Sequence, residues 1–207
     1  MKKNILLLLM SLLFFKVADA EAQECYAEEV CCDNETNIYA KVFSGANFLE
    51  STKINGNKAS YQTGYIISGA IGVGSCYGLS LEAEYAFRRN GIKNIDFFGE
   101  GSSNHGHFQS SSYMASLLWD LSSWGRLFWN IEPFIGWGIG YDFEQMHSSN
   151  SRVIFSQKWH HFSWQAMAGL AYPIFCNTEI TLEYKFHQGG HFYSNSVGAG
   201  LVYKIAF

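Results

Sequence analysis

The sequence predicts an all-β fold: eight antiparallel strands in an up-and-down meander, closed into a barrel that spans a membrane. Three observations carry this expectation. Apolar residues recur at every second position through most of the chain, which is the period of a strand. Long connections between these segments alternate with short ones. After its first 20 residues the chain has no apolar run near the ~20 residues a spanning helix needs.

The start reads as a signal peptide over 1–20. Lys2 and Lys3 give a basic region, Ile5 to Phe15 an apolar one, and Ala18-Asp19-Ala20 a cleavage site. Residues 21–36 form an acidic periplasmic arm with six carboxylates and no base, carrying Cys25, Cys31 and Cys32. Glu-Ala-Gln-Glu before Cys25 lacks the small apolar residues of a lipid-attachment site. Residues 37–207 are left for the barrel, with 11 bases balancing 11 acids. No basic run points to nucleic acid.

The first segment, Asn37 to Leu49, has mixed faces, and the second, Tyr65 to Ser75, is Gly-rich. In the third, Leu79, Leu81, Ala83, Tyr85 and Phe87 oppose Ser80, Glu82, Glu84, Ala86 and Arg88. The fourth sets Tyr113, Ala115, Leu117, Trp119 and Leu121 against Ser112, Met114, Ser116, Leu118 and Asp120. The fifth runs from Ile131 to Phe143 with glycines at 136, 138 and 140 on its second face. Phe162 to Tyr172 and Ile180 to His187 are the sixth and seventh. The eighth places Val197, Ala199, Leu201, Tyr203, Ile205 and Phe207 on one face. Each is close to the ~9–11 residues of a tilted spanning strand.

Long connections at 50–63, 89–110, 144–161 and 188–195 alternate with short turns at Cys76-Tyr77 and Phe175-Cys176-Asn177, and the Ser122–Trp129 connection is intermediate. Long loops outside and short turns inside put both termini in the periplasm. Aromatics gather at both ends of the apolar face: Tyr65, Phe87, Tyr113, Tyr141, Phe162 and Tyr184 outward, Trp119, Tyr172, Tyr203 and Phe207 inward. Such belts mark the two membrane interfaces. A soluble barrel would instead need a charged exterior. Only 15% of residues are charged, against a usual ~25%, while 17% are aromatic.

Phe162-Ser-Trp-Gln-Ala-Met-Ala-Gly-Leu-Ala-Tyr-Pro-Ile174 resembles the penultimate hairpin of small porin-family surface antigens, relatives of the OmpA/OmpX-type and Opa-like barrels. Glu179 to Phe186, Ser196 to Leu201 and the Pro133 to Gly140 strand are similar as well. The resemblance covers about 37–207 and implies the fold and a bacterial outer-membrane location, but no particular activity. It also implies that the last strand, ending on Tyr203 and Phe207, is an assembly signal for the barrel-assembly machinery. The cysteines depart from the family pattern.

An eight-stranded barrel has an interior filled by its own side chains. Lys41, Glu82, Glu84, Arg88, Asp120, Glu132, Glu183, Lys185 and Lys204 are expected in that lumen. Buried charge is costly unless paired, so a salt-bridged plug is the expectation and a charged ion pathway the alternative. All seven histidines map to outer loops or strand tips. His105, His107, His160 and His161 are the only candidates for a loop metal site, but no acidic cluster completes one, so no metal and no cofactor are expected.

Some barrels of this size are lipid A-modifying enzymes that use an outward Ser and His. Here His191 and Ser194 are spaced differently and lack an acidic third member, so no enzyme is expected. Cys25, Cys31, Cys32, Cys76 and Cys176 would all face the oxidising periplasm. Five is odd, which leaves two readings open: cross-links to envelope proteins, or internal tethers with one spare thiol. The reading is a surface-exposed structural barrel for envelope integrity, adhesion or antigen display, in contact with outer-membrane lipid and with a host or extracellular ligand at its loops. A small-solute pore is the alternative.

Overall fold

The computed structural model describes residues 37–54, 57–75, 77–95, 106–121, 131–149, 154–190 and 192–205. Residues 1–36, where the signal peptide and the acidic arm with Cys25, Cys31 and Cys32 are expected, lie outside these residues, as do Cys76, His105, His191, Phe207 and the whole Ser122–Trp129 connection.

Ten strands follow in chain order: β1 (Asn37–Leu49), β2 (Thr52–Ile54), β3 (Asn57–Tyr61), β4 (Gly64–Gly74), β5 (Leu79–Ile95), β6 (Gly106–Asp120), β7 (Glu132–Ser149), β8 (Ile154–Phe175), β9 (Thr178–Gly189) and β10 (Phe192–Ile205). Eight of them close the barrel. Every neighbour is antiparallel and sequential, β5 meets β6, and β1 closes on β10 with Val42 opposite Leu201 and Gly45 opposite Gly198. That is the eight-stranded meander. The short β2–β3 hairpin is additional and joins β5 through Ala59 opposite Ile95.

Exposure alternates as the period demands. In β4, Tyr65, Ile67, Ile71 and Val73 face out while Ile66, Ser68, Ala70 and Gly72 are enclosed. The same holds for Leu81, Tyr85, Leu117, Trp137, Ile139, Leu182, Val197 and Leu201, all exposed, against Glu82, Glu84, Ser116, Gln165, Glu183 and Lys185, all buried. The apolar face is outside. The mixed first segment resolves in the same way, with Ile38 and Val42 outward and Tyr39, Lys41, Phe43 and Asn47 inward.

Several strands run further than the sequence reading placed them. β5 continues to Ile95, β6 starts at Gly106, β7 reaches Ser149, β8 starts at Ile154 and β10 starts at Phe192. The connections at 89–110, 144–161 and 188–195 shrink accordingly. The physical reason is a change of phase. Beyond the outer aromatic residues the outward positions become polar (Gln109, Gln145, Lys158) and the inward ones apolar (Phe108, Met146, Phe192). The alternation persists with its polarity reversed, and the backbone ladder continues unbroken, with Phe108 opposite Met146.

The expected long loop at 50–63 holds the β2–β3 hairpin. Between β3 and β4 the ladder with β5 shifts register near Tyr61. Buried Asn90 spans this break. Its amide donates to the Asn47 and Gln62 carbonyls at 2.9 and 3.0 Å, the Asn47 amide donates to Asn90 Oδ1 at 2.6 Å, and Ser196 donates to Asn47 Oδ1 at 2.8 Å. Backbone acceptors freed by the bulge therefore keep partners.

Candidate functional site: the lumen and the outward face of β5 to β8

The lumen is stacked in three tiers from the end bearing Asn37 and Ile205, the terminal end, to the opposite loop end. At the terminal end a cavity of about 160 Å³ is lined by residues including Tyr39, Asp120, Glu132, Glu179 and Lys204. Lys204 pairs with Glu179, and the Tyr39 hydroxyl donates to Glu82 Oε2 at 3.3 Å.

Charges fill the middle tier. Lys41 bonds Glu82 at 2.8 Å and lies 3.6 Å from Glu183. Lys185 pairs with Glu84, lies 3.6 Å from Glu183 and sits 4.5 Å over the Phe43 ring. The Gln165 amide crosses the barrel to Glu84 Oε2 at 2.9 Å and to Ser116 Oγ at 3.1 Å. Above them Arg88 donates to Ser112 Oγ at 2.6 Å and faces Asp142 and Glu144. Asp142 accepts from Ser163 at 3.1 Å and joins His187 Nε2 at 2.7 Å.

The third tier is apolar. Ala59 of the hairpin, Ile92, Phe108, Met146 and Phe192 form a buried cluster against which Leu49, Tyr61 and Trp159 pack. The Phe108 and Phe192 rings pack at a tilt with centres 4.5 Å apart, and Tyr61 packs edge-on to both. Burial pushes the Tyr61 hydroxyl above its ordinary range, and Glu144 adds to the shift. This cap closes the loop end of the lumen.

Of the nine charges the sequence placed inside, Lys41, Glu82, Glu84, Arg88, Glu132, Glu183 and Lys185 are buried, and Asp120 and Lys204 are half-buried at the terminal end. Glu179, Asp142, Glu144, Gln165 and His187 also belong to this interior and were not singled out. Their signal was the period itself, since each falls on the same inward face.

The described histidines lie on the loop-end halves of strands rather than in loops. His187 is buried in the lumen against Asp142, and His161 points inward. Cross-strand geometry separates the candidate metal ligands. His107 lies directly opposite His147, with ring centres 5.7 Å apart, whereas His160 packs edge-on to Phe143. No cluster of three or more metal-ligating side chains occurs among the described residues. Partial burial, the Arg89 charge and His147 hold His107 below the usual imidazole range.

Ser194 is buried and faces the lumen, so it is not presented to lipid as a lipid A-modifying site with an outward Ser requires. Cys176, in the β8–β9 turn, is disulfide-bonded.

The outward face of β5 to β8 is ordered in rows. Tyr85, Tyr113, Tyr141 and Phe162 are cross-strand neighbours, followed by Phe87, Ser111, Phe143 and His160. The next row is Arg89, Gln109, Gln145 and Lys158, with Gln109 donating to Gln145 at 3.1 Å, and beyond it Gly91 faces His107, which faces His147.

No family model and no curated protein matches the chain. Solved structures do match. Neisserial surface protein A aligns with a TM-score of 0.55 at 15% identity, covering 82% of this chain and 97% of that one. Ail, the attachment invasion locus protein of Yersinia pestis, solved with the heparin analogue sucrose octasulfate, gives 0.54 at 15% identity, with 83% and 99% covered. A major outer membrane protein from Thermus thermophilus gives 0.60 at 10% identity, with 82% and 99% covered. At these identities the likeness is one of fold, and the fold is that of outer-membrane β-barrels.

Proposed function

We propose that the chain is a bacterial outer-membrane surface barrel with a structural, adhesive or antigen-displaying role, its termini in the periplasm and its lumen closed to ions. The observation that carries this reading is the filled interior. Lys41, Glu82, Glu84, Gln165, Glu183 and Lys185 meet across the barrel beneath an apolar cap. An exterior of Val, Leu, Ile and aromatic side chains supports the membrane setting, because water does not favour so continuous an apolar surface. Single-channel recording in planar bilayers tests the closed lumen: the purified barrel inserts without discrete conductance steps. Large, stable steps would overturn it.

A pore is the second reading, favoured by the cavity at the terminal end. It requires the apolar cap to move. Removing the cap's rings separates the two readings, since Phe108→Ala/Phe192→Ala then raises conductance only if a path already exists below.

The reading is non-enzymatic, and the inward Ser194 supports it. Lipid A from cells expressing the protein keeps its acyl chains, as mass spectrometry reads them; an altered acyl pattern contradicts this. Export by residues 1–20 and insertion guided by the strand ending at Tyr203 and Phe207 belong to the same reading. So does a disulfide from one of Cys25, Cys31, Cys32 or Cys76 to an envelope partner, Cys176 being bonded within the chain; non-reducing electrophoresis of intact envelopes is the check.

A further inference from the structure

Exposure falls steadily along the terminal-end cavity. Lys204 and Asp120 at its mouth are half-buried, Glu132 and Glu179 are 8% exposed, and Glu82 and Glu183 at its floor are 1% exposed. Between mouth and floor the wall turns apolar. Leu118 stands one lumen-facing position deeper than Asp120 on β6, and Val202 one deeper than Lys204 on β10. Both are buried, as is Ala171, the cross-strand partner of Glu132. On the other side the Tyr39 ring lies against Gly72, where any Cβ would overlap it.

Charge in this cavity does not balance. Among the described residues, five carboxylates (Glu82, Asp120, Glu132, Glu179 and Glu183) line it against two ammonium groups, those of Lys41 and Lys204. Lys185 and Glu84, the next charges inward, pair with each other and leave the negative excess unchanged. The floor is also incompletely bonded. Among the described residues, Glu82 Oε1 accepts no hydrogen bond, and Glu183 Oε2 has only the Lys185 nitrogen, 3.6 Å away. Buried carboxylates in excess are costly, so the cavity favours a cation. The sequence before Asn37 supplies none, since residues 21–36 carry six carboxylates and no base.

The wall sets the chemistry of that cation. No cluster of three or more metal-ligating side chains occurs among the described residues, so a bare metal ion lacks a ligand set here. Acids at both ends of an apolar stretch fit two ammonium groups joined by methylenes. The volume, about 160 Å³, is close to the ~150 Å³ of a cavity that holds benzene, which leaves room for a stem of about four to six carbons.

We propose that the terminal-end cavity is a binding site for a short aliphatic α,ω-diamine. One ammonium group meets Glu82 and Glu183 at the floor, and the other meets Asp120 and Glu132 at the mouth. Leu118, Ala171 and Val202 cover the stem, and both ends are held by charge-assisted hydrogen bonds. This rests on the closed-lumen reading above, which makes the cavity a dead end rather than part of a path.

The full-length protein in neutral detergent at low salt is titrated calorimetrically with 1,5-diaminopentane, and one equivalent binds saturably. A hydrogen bond to a charged group is worth about tenfold or more in affinity. 1-Aminopentane, with a single ammonium group, therefore binds the unaltered protein about tenfold more weakly or worse. The diamine loses as much on Asp120→Asn/Glu132→Gln. Leu118→Trp keeps every carboxylate but fills the place of the stem, and it abolishes binding. Circular dichroism melting shows whether each variant is folded, and the comparison of the two amines needs no variant.

Absence of saturable binding, equal affinity for the two amines, or undiminished binding by folded Leu118→Trp overturns the proposal. Displacement of the diamine by magnesium at equal charge concentration also overturns it, and assigns the cavity to inorganic cations. Single-channel recording separates the two levels of failure. Conductance steps overturn the closed lumen, whereas a silent bilayer together with no saturable binding overturns this site alone.

Discussion

Lys185 shows how the interior is held. It is fully enclosed, pairs with Glu84, approaches Glu183 and rests on the Phe43 ring. Two charges removed from water are rarely a net gain, but stripping one partner leaves the other uncompensated. Lys185→Met is therefore expected to destabilise the barrel by about 3–5 kcal/mol. Glu84→Gln/Lys185→Met recovers much of that loss. Urea unfolding in lipid, followed by tryptophan fluorescence, measures both; additive losses would mean that the pair is not coupled. The identity of such residues was legible at their positions. Which of them would meet was not, because Gln165 reaches Glu84 across the barrel, and no single-strand pattern encodes a span of that kind.

At the scale of strands, the barrel closes where Gly45 faces Gly198 across the β1–β10 seam. A Cβ built on Gly198 would stand 2.2 Å from the Ser44 carbonyl oxygen, and one on Gly45 would stand 2.3 Å from that of Val197, so the backbone itself forbids a side chain. Gly198→Val is expected to block closure and leave the protein heat-labile in detergent, whereas Ala199→Val, facing outward on the same strand, is tolerated. Circular dichroism melting distinguishes them, and equal melting would contradict the seam's role.

Strand existence was readable from period two, and strand length was not. The outer halves of β6, β7 and β8 keep the period but exchange which face is apolar. That reads in sequence as the end of a strand followed by a polar loop. The exchange has a physical source: above the membrane the exterior meets water and the interior is sealed by the cap. His187, at the tip of the seventh segment, was legible in the same way, since it shares the face of Lys185 and Glu183, and all three are buried.

As a whole, the molecule inverts the usual arrangement of a small protein. Its exterior is apolar around the middle and its interior is largely charged, with buried apolar clusters at the loop end and around Phe43, Ile66 and Ala86. The lumen is accordingly one-sided, with a cavity at the terminal end and a cap at the other. Single charges survive inside because partners from different strands converge on them. The few charges outside survive because they stand beyond the aromatic girdle.

The most direct test of this arrangement is carbene photolabelling by a membrane-soluble reagent in vesicles holding the unaltered protein, read residue by residue by mass spectrometry. Label is expected on Ile67, Ile71, Leu81, Leu117, Trp137, Leu182 and Leu201, and not on Phe43, Ile66, Met114 or Met167, their inward neighbours. Label on the second set and not on the first would describe a soluble barrel with a lipophilic interior, and would contradict the account.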